Sequence, residues 1–187
     1  IVVSSNLCSQ TINGKVIDGN TKEPLPFVNV LNLNVNDSTL ITGTVTDNNG
    51  LFTLSLSQMK SFLRISFIGY NTTDIPCNSG MPPIGDIELM PSEEMLETVV
   101  VTGTRQLFKM EQGGISTNVS SDIRLQNLGT AINVLEKLPF VFNDNGKLMI
   151  VGKGEPLIYI NNRLVRDKNE LDQLSSNDIK KAIVITN

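Results

Sequence analysis

Between Thr11 and Leu89 no β-patterned stretch runs far before a turn signal interrupts it. That punctuation limits the chain more than any single residue does. A polypeptide that cannot sustain long elements must assemble its sheets from many short strands, the pattern of a sandwich or small barrel. Ile12-Asn13-Gly14-Lys15-Val16-Ile17-Asp18 reads as a first strand. Thr21-Lys22-Glu23-Pro24-Leu25-Pro26 is a turn whose two prolines bar a central strand. Phe27-Val28-Asn29-Val30-Leu31-Asn32-Leu33 carries apolar residues on both alternating faces, as a strand buried on both sides does. Ile41–Thr46, Asp47-Asn48-Asn49-Gly50 and Leu51–Leu56 together predict a β-hairpin, because Asn-Gly tolerates positive φ. Phe62–Phe67 and Ile84–Leu89 supply two further strands.

Composition narrows function. The chain has 187 residues, enough for one sizeable domain or two small ones, and its 40% hydrophobic content supports folded cores. Histidine is absent, which removes the usual general base, the commonest transition-metal ligand and any Ser-His or Cys-His mechanism. With Cys8 and Cys77 as the two cysteines, no four-cysteine zinc site can form. No catalytic constellation is visible, so an enzyme is not expected, and neither is a cofactor. Net charge is −4 with no basic cluster, and aromatic content is 5% with no Trp, so a nucleic-acid partner is not expected. Residues 1–9, Ile1-Val2-Val3-Ser4-Ser5-Asn6-Leu7-Cys8-Ser9, resemble the tail of a secretory signal, with cleavage fitting after Ser9. An edge strand at Ile1–Val3, with a Cys8–Cys77 disulfide, is the other reading. No apolar run approaches the roughly 20 residues of a membrane-spanning helix.

Residues 10–90 carry a family resemblance. Ile12-Asn13-Gly14-Lys15-Val16, Pro24-Leu25-Pro26-Phe27-Val28-Asn29-Val30, Thr42-Gly43-Thr44-Val45-Thr46-Asp47, Gly50-Leu51-Phe52 and Ile65-Ser66-Phe67-Ile68-Gly69-Tyr70 resemble the carboxypeptidase regulatory-like domain. The resemblance implies a transthyretin-like β-sandwich of about seven strands. It implies no peptidase activity. Asp18, Asp37, Asp47, Asp74 and Asp86 read as turn residues rather than calcium ligands, so no metal is expected.

Beyond residue 105 the pattern changes. Ile115–Val119 reads as a short strand. Leu128–Pro139 reads as a helix with Leu128, Ala131, Ile132, Leu135 and Leu138 on one stripe, Asn127 or Thr130 at its start and Pro139 at its stop. Phe140-Val141-Phe142 and Lys147–Val151 flank the turn Asn143-Asp144-Asn145-Gly146, and Gly152-Lys153-Gly154 is a second tight turn. Pro156–Ile160 turns at Asn161-Asn162 towards Arg163-Leu164-Val165. A helical turn at Glu170–Leu174, a start capped by Ser175 and a final strand at Ala182–Thr186 complete an α/β unit. An apolar strand so near Asn187 suggests a piece of a longer protein.

Asn133–Pro139, Gly146, Val151–Gly154, Ile158–Arg163 and Ile179–Asn187 resemble, in order and spacing, the plug domain of Bacteroidetes-type TonB-dependent outer-membrane receptors. Phe140 stands where that family usually has Gly, and Ala182 where it usually has Glu. The overall expectation is a mainly β chain with a smaller α+β part: a β-sandwich over 10–90, a linker over 91–105 and a plug-type domain over 106–187.

The linker holds the candidate site. Glu97-Thr98-Val99-Val100-Val101-Thr102-Gly103 is a β-branched run behind the acidic, proline-containing Pro91-Ser92-Glu93-Glu94. By its residues it is either a strand packed on a neighbouring domain or one free to pair with another protein's sheet edge. The resemblance identifies it with the TonB box, and so implies the TonB C-terminal domain and an outer-membrane barrel as partners, a periplasm-facing location, and a role in gating nutrient uptake. Arg105 and Lys109 follow it with no assigned role. A carbohydrate- or peptide-binding sandwich of a cell-envelope protein is the alternative, with Tyr70 and Tyr159 as the available tyrosines.

Overall fold

The computed structural model describes residues 10–56, 60–77, 84–92, 107–111 and 113–186. The chain divides into two compact units, Ile1–Pro91 and Ser92–Asn187.

The first unit is built from seven strands: β1 (Gln10–Asp18), β2 (Asn29–Asn34), β3 (Leu40–Val45), β4 (Leu51–Leu56), β5 (Ser61–Ser66), β6 (Thr73–Cys77) and β7 (Asp86–Leu89). They form a three-stranded sheet in the order β4-β1-β7 and a four-stranded sheet in the order β3-β2-β5-β6. Alternating residues of both sheets meet in one core. Ile12, Val16, Phe52, Leu54, Leu56, Ile87 and Leu89 come from the first sheet, and Val30, Leu63, Ile65 and Cys77 from the second. The sandwich reading therefore holds. β2 is buried along both faces, as its sequence predicts. β6 was not legible, because Pro76 and the polar Thr73 and Asp74 dilute its pattern.

The predicted hairpin does not form. β3 pairs with β2, while β4 pairs antiparallel with β1, so the two strands belong to different sheets. The turn itself is present: Asp47 Oδ1 accepts from the Asn49 and Leu51 amides, and Asp47 N–H donates to the Leu51 carbonyl. A type I′ hairpin, however, needs positive φ at both central residues. Here Gly50 has φ +74 and Asn49 does not share it. What redirects the chain is Thr46, just before the turn. Its N–H donates to Val28 O and its carbonyl accepts from Phe27 N–H, both at 3.0 Å. Its hydroxyl donates to Leu25 O at 2.7 Å and accepts from Val28 N–H at 2.9 Å. Every polar group of this buried residue is committed to the Leu25–Val28 segment. On the far side of the turn the Gly50 carbonyl accepts from Val16 N–H on β1.

The second unit contains a three-stranded antiparallel sheet in the order β14-β9-β8, made of β8 (Phe108–Glu111), β9 (Gly114–Thr117) and β14 (Ala182–Ile185). Two separate hairpins, β10 (Val141–Asp144) with β11 (Lys147–Ile150) and β12 (Tyr159–Ile160) with β13 (Arg163–Leu164), turn where expected. Asn145 and Gly146 have φ +50 and +84, and Asn161 and Asn162 have +50 and +64, so both are two-residue turns of the kind hairpins favour. The short helices are α1 (Ile123–Gln126), α2 (Ala131–Glu136) and α3 (Asn169–Gln173).

Several local expectations are corrected. α2 is shorter than the predicted helix, because Thr130 is extended and bridges Ser175 rather than helical. Its buried stripe is Ala131, Val134 and Leu138, so Val134 replaces Ile132 and Leu135 at the centre. Thr130 stands at the cap position, yet its hydroxyl makes no capping bond. α1 escaped notice because it is a single turn, nucleated by Asp122 accepting from the Arg124 amide. Phe140 lies outside β10 with φ +66, the left-handed backbone that glycine adopts freely. Val151 N–H donates to the Phe140 carbonyl at 2.9 Å and holds this backbone.

The two Asn-Gly turns separate conformational cost from packing cost. Gly146 has open space where a Cβ would stand, so Gly146→Ala pays only for positive φ, about 1 kcal/mol. At Gly50 the same Cβ would lie 2.5 Å from Val16 O, so Gly50→Ala destabilises by clearly more in denaturant unfolding. Thr46→Val removes the hydroxyl from two buried main-chain partners and costs about 1–3 kcal/mol in the same measurement.

Candidate functional site: the Glu97–Gly103 segment

The residues singled out for partner binding, Glu97, Thr98, Val99, Val100, Val101, Thr102 and Gly103, lie outside the described residues, as does Arg105. What the structure shows is how each unit is built on its side of them.

In the first unit the chain leaves along β7. This strand pairs in parallel with β1, Lys15↔Asp86 through Asp18↔Leu89. Its end is held from two sides. Gly19 N–H donates to Leu89 O and Asn71 N–H donates to Met90 O, each at 2.8 Å, and Tyr70 and Pro91 form an isolated antiparallel bridge. Beneath lies a polar clamp that joins residues far apart in sequence. The Tyr70 hydroxyl donates to Asp18 Oδ2 at 2.6 Å, while Asp18 Oδ1 accepts from the Asn20 and Thr21 amides at 2.7 and 3.0 Å. Burial alone would raise the Asp18 pKa. The bonds from Tyr70, Thr21 and Asn20, with Lys22 nearby, outweigh it and hold the carboxyl below the usual Asp value. Phe67 packs at 5.7 Å from the Tyr70 ring and keeps it in place.

In the second unit the described chain resumes at Leu107, whose carbonyl accepts from the Thr117 hydroxyl at 2.8 Å. β8 follows as an edge strand anchored by Phe108, 2% exposed, against β9. Lys109 is exposed on β8. Beside it Glu111 pairs with Lys181 at 2.7 Å, and that ammonium, followed by a bond from Ser116, lowers the Glu111 pKa.

Of the five aspartates read as turn residues, Asp18, Asp37 and Asp47 hold turns: Asp37 accepts from the Thr39 amide and hydroxyl, and the other two as described. Asp74 and Asp86 instead lie in strands β6 and β7, and Asp74 forms a two-bond ion pair with Arg64 at 2.9 and 2.7 Å. Among the described residues no three His, Cys, Asp or Glu side chains come together as a metal site. Cys77 is a buried free thiol, which leaves the disulfide reading without support; Cys8 lies outside the described residues. Tyr70 follows the Ile68-Gly69 turn as an isolated bridge residue outside the strands, while Tyr159 sits in β12, exposed. The Asp18–Tyr70 clamp was missed. The sequence offered both residues, one as a turn former and one as the end of a family pattern, but nothing to pair them.

Residues 12–101 match the family model described as the CarboxypepD_reg-like domain. The match therefore spans the sandwich and reaches into the junction. At the level of particular proteins, the chain is similar to the TonB-dependent receptor SusC of Bacteroides thetaiotaomicron, 32% identical over 123 residues that cover 65% of this chain and 11% of the receptor. It thus spans about a tenth of that relative's length. Among solved structures, it is similar to the group B streptococcus pilus 2b backbone protein (19% identity, TM-score 0.34, 45% of this chain and 42% of that one). It is also similar to BcpA, the major pilin subunit of Bacillus cereus (13% identity, TM-score 0.37, 45% and 30%). Both likenesses are too distant to bear on function.

A carboxylate held below its usual pKa stabilises the fold fully above the unfolded-state value, and that contribution fades as pH falls through the lowered one. Tyr70→Phe is therefore expected to cost about 1.5–3 kcal/mol at neutral pH, the range for a hydrogen bond to a charged group. The deficit relative to the parent shrinks as pH falls from the ordinary Asp range towards the lowered pKa of the parent's Asp18, beneath which the carboxyl is protonated in both folded proteins. Denaturant titrations at pH 7 and pH 3 check this, and a deficit independent of pH would contradict it.

Proposed function

We propose that this chain is the periplasm-facing N-terminal region of a TonB-dependent outer-membrane receptor that takes up nutrients. The observation that carries the reading is the extent of the similarity to SusC. Neither unit is as long as the 123 residues matched, so the matched stretch takes in part of both units. The family match over 12–101 adds an independent line for the sandwich. Under this reading the first unit is an accessory domain, and the second is the plug that closes the receptor's own barrel. The chain performs no chemistry and needs no cofactor.

Its working part is the Glu97–Gly103 strand. Main-chain N–H and C=O groups pair with an open edge of the TonB C-terminal domain, and the acidic lead-in after Pro91 gives reach. Val and Thr suit this role because their branched side chains favour the extended backbone before the partner arrives. Tension on the strand then remodels part of the plug and opens the path for cargo, while better-packed elements stay folded.

A pull-down of the full chain by the TonB C-terminal domain tests the pairing. Val100→Pro removes a main-chain donor at the centre of the strand, and capture is expected to fall at least about tenfold, the equivalent of roughly 1.4 kcal/mol. Equal capture of the two proteins would reject pairing through this segment.

A further inference from the structure

Among the described residues the sandwich core holds two buried polar side chains without a conventional hydrogen bond, Asn32 and Ser61. Asn32, in the middle of β2, is fully buried, and neither its amide nitrogen nor its amide oxygen has a hydrogen-bond partner. Two residues earlier on the same face lies Val30, part of the central core. The amide therefore points between the sheets and not outwards.

Its neighbours follow from the register. Asn32 stands opposite Leu63 and Asn34 opposite Ser61, so Ser61 is the diagonal neighbour of Asn32 on the core face. Ser61 in turn stands opposite Cys77 on β6, as Leu63 does opposite Ile75. Ser61 is 1% exposed, and its hydroxyl too lacks a conventional hydrogen bond. It lies against the Cys77 sulfur, a weak partner at best. Two orphaned polar side chains and one buried thiol thus cluster at one place on the inner face of β2, β5 and β6. Val30, Leu63, Ile65 and Ile75 continue that face, with the half-buried Thr42 opposite Asn32 on β3 and the half-buried Asn34 opposite Ser61.

We propose that this cluster is an internal hydration site, in which one water molecule bridges the Asn32 amide to the Ser61 hydroxyl inside the sandwich. The chemistry selects the occupant. An amide offers donors and acceptors, and a hydroxyl offers both, so the bridging species must also donate and accept. The groups are neutral, since burial holds the Cys77 thiol protonated by raising its pKa, so an ion has no counter-charge here. Diagonal neighbours on a sheet stand about 7–8 Å apart at the backbone. Two short side chains and one water, with bonds of about 2.8 Å, close that distance. Buried waters with two to four polar partners are a regular part of protein interiors. The site also gives Asn32 a use. A slip of β2 by one residue would carry the amide to the outer face and lose the water, which penalises the wrong register.

Water-selective nuclear Overhauser spectra of the full chain test the proposal directly. A cross-peak is expected between a long-lived water and the Asn32 side-chain amide, which Asn32→Leu assigns by removing the amide. Absence of that cross-peak in the parent protein overturns the site, whatever other measurements show. Thermal melts of Asn32→Leu, Ser61→Ala and the double variant give a second measure. With a shared water, each single change strands the other partner, so the double variant melts higher than the summed single shifts require. Strict additivity would show that the two side chains have no common ligand.

Discussion

The chain of the first unit changes sheets four times among its seven strands, and the fold turns on one of those crossings. The chain must pass from the four-stranded sheet to the three-stranded one between β3 and β4, and Thr46 is where it is made to do so. Its backbone and hydroxyl take up the polar groups of Leu25, Phe27 and Val28, which would otherwise be buried without partners. Once Thr46 is bound there, β3 cannot pair with the strand that follows. β4 is delivered to β1, where the Gly50 carbonyl already meets Val16. The core between the sheets gathers Leu63 and Ile65 with Ile12 and Phe52, and Phe52, Leu54 and Leu56 reach it on β4.

The same economy appears at the exit. Among the described residues β7 pairs with one strand, β1, and it is four residues long. Such a strand would be weakly held by pairing alone. Asp18 and Tyr70 compensate by fixing the segments on either side of the strand's end, so the chain reaches Pro91 from a defined point. For a chain proposed to offer a strand to a partner, a firmly anchored exit is the useful property.

The sequence disclosed the elements better than their partners. Period-two alternation gave β2, β4, β5 and β7, and the pairs Asn145-Gly146 and Asn161-Asn162 gave two hairpins at the right places. The same dipeptide at Asn49-Gly50 misled, because a turn signal reports local backbone preference and says nothing of which strands pair beyond it. The helical stripe of α2 was placed one phase away, since Ile132, Leu135 and Val134 are equally apolar and only packing chooses among them. The candidate strand at Glu97–Gly103 was legible as β-prone, and it lies outside the described residues. The Asp18–Tyr70 clamp was not legible, for it joins residues 52 positions apart.

Composition and local pattern alone determined that the chain is mostly strand, that it lacks histidine chemistry and that a β-branched segment sits near its middle. Those are properties of neighbouring residues, and steric preference and hydrophobic period write them into the chain directly. Tertiary structure alone decided which strands share a sheet, that Thr46 turns a hairpin signal into a crossing, and that Asn32 faces inward beside Ser61. These depend on contacts between distant residues, whose free energy exists only after the whole sandwich has closed.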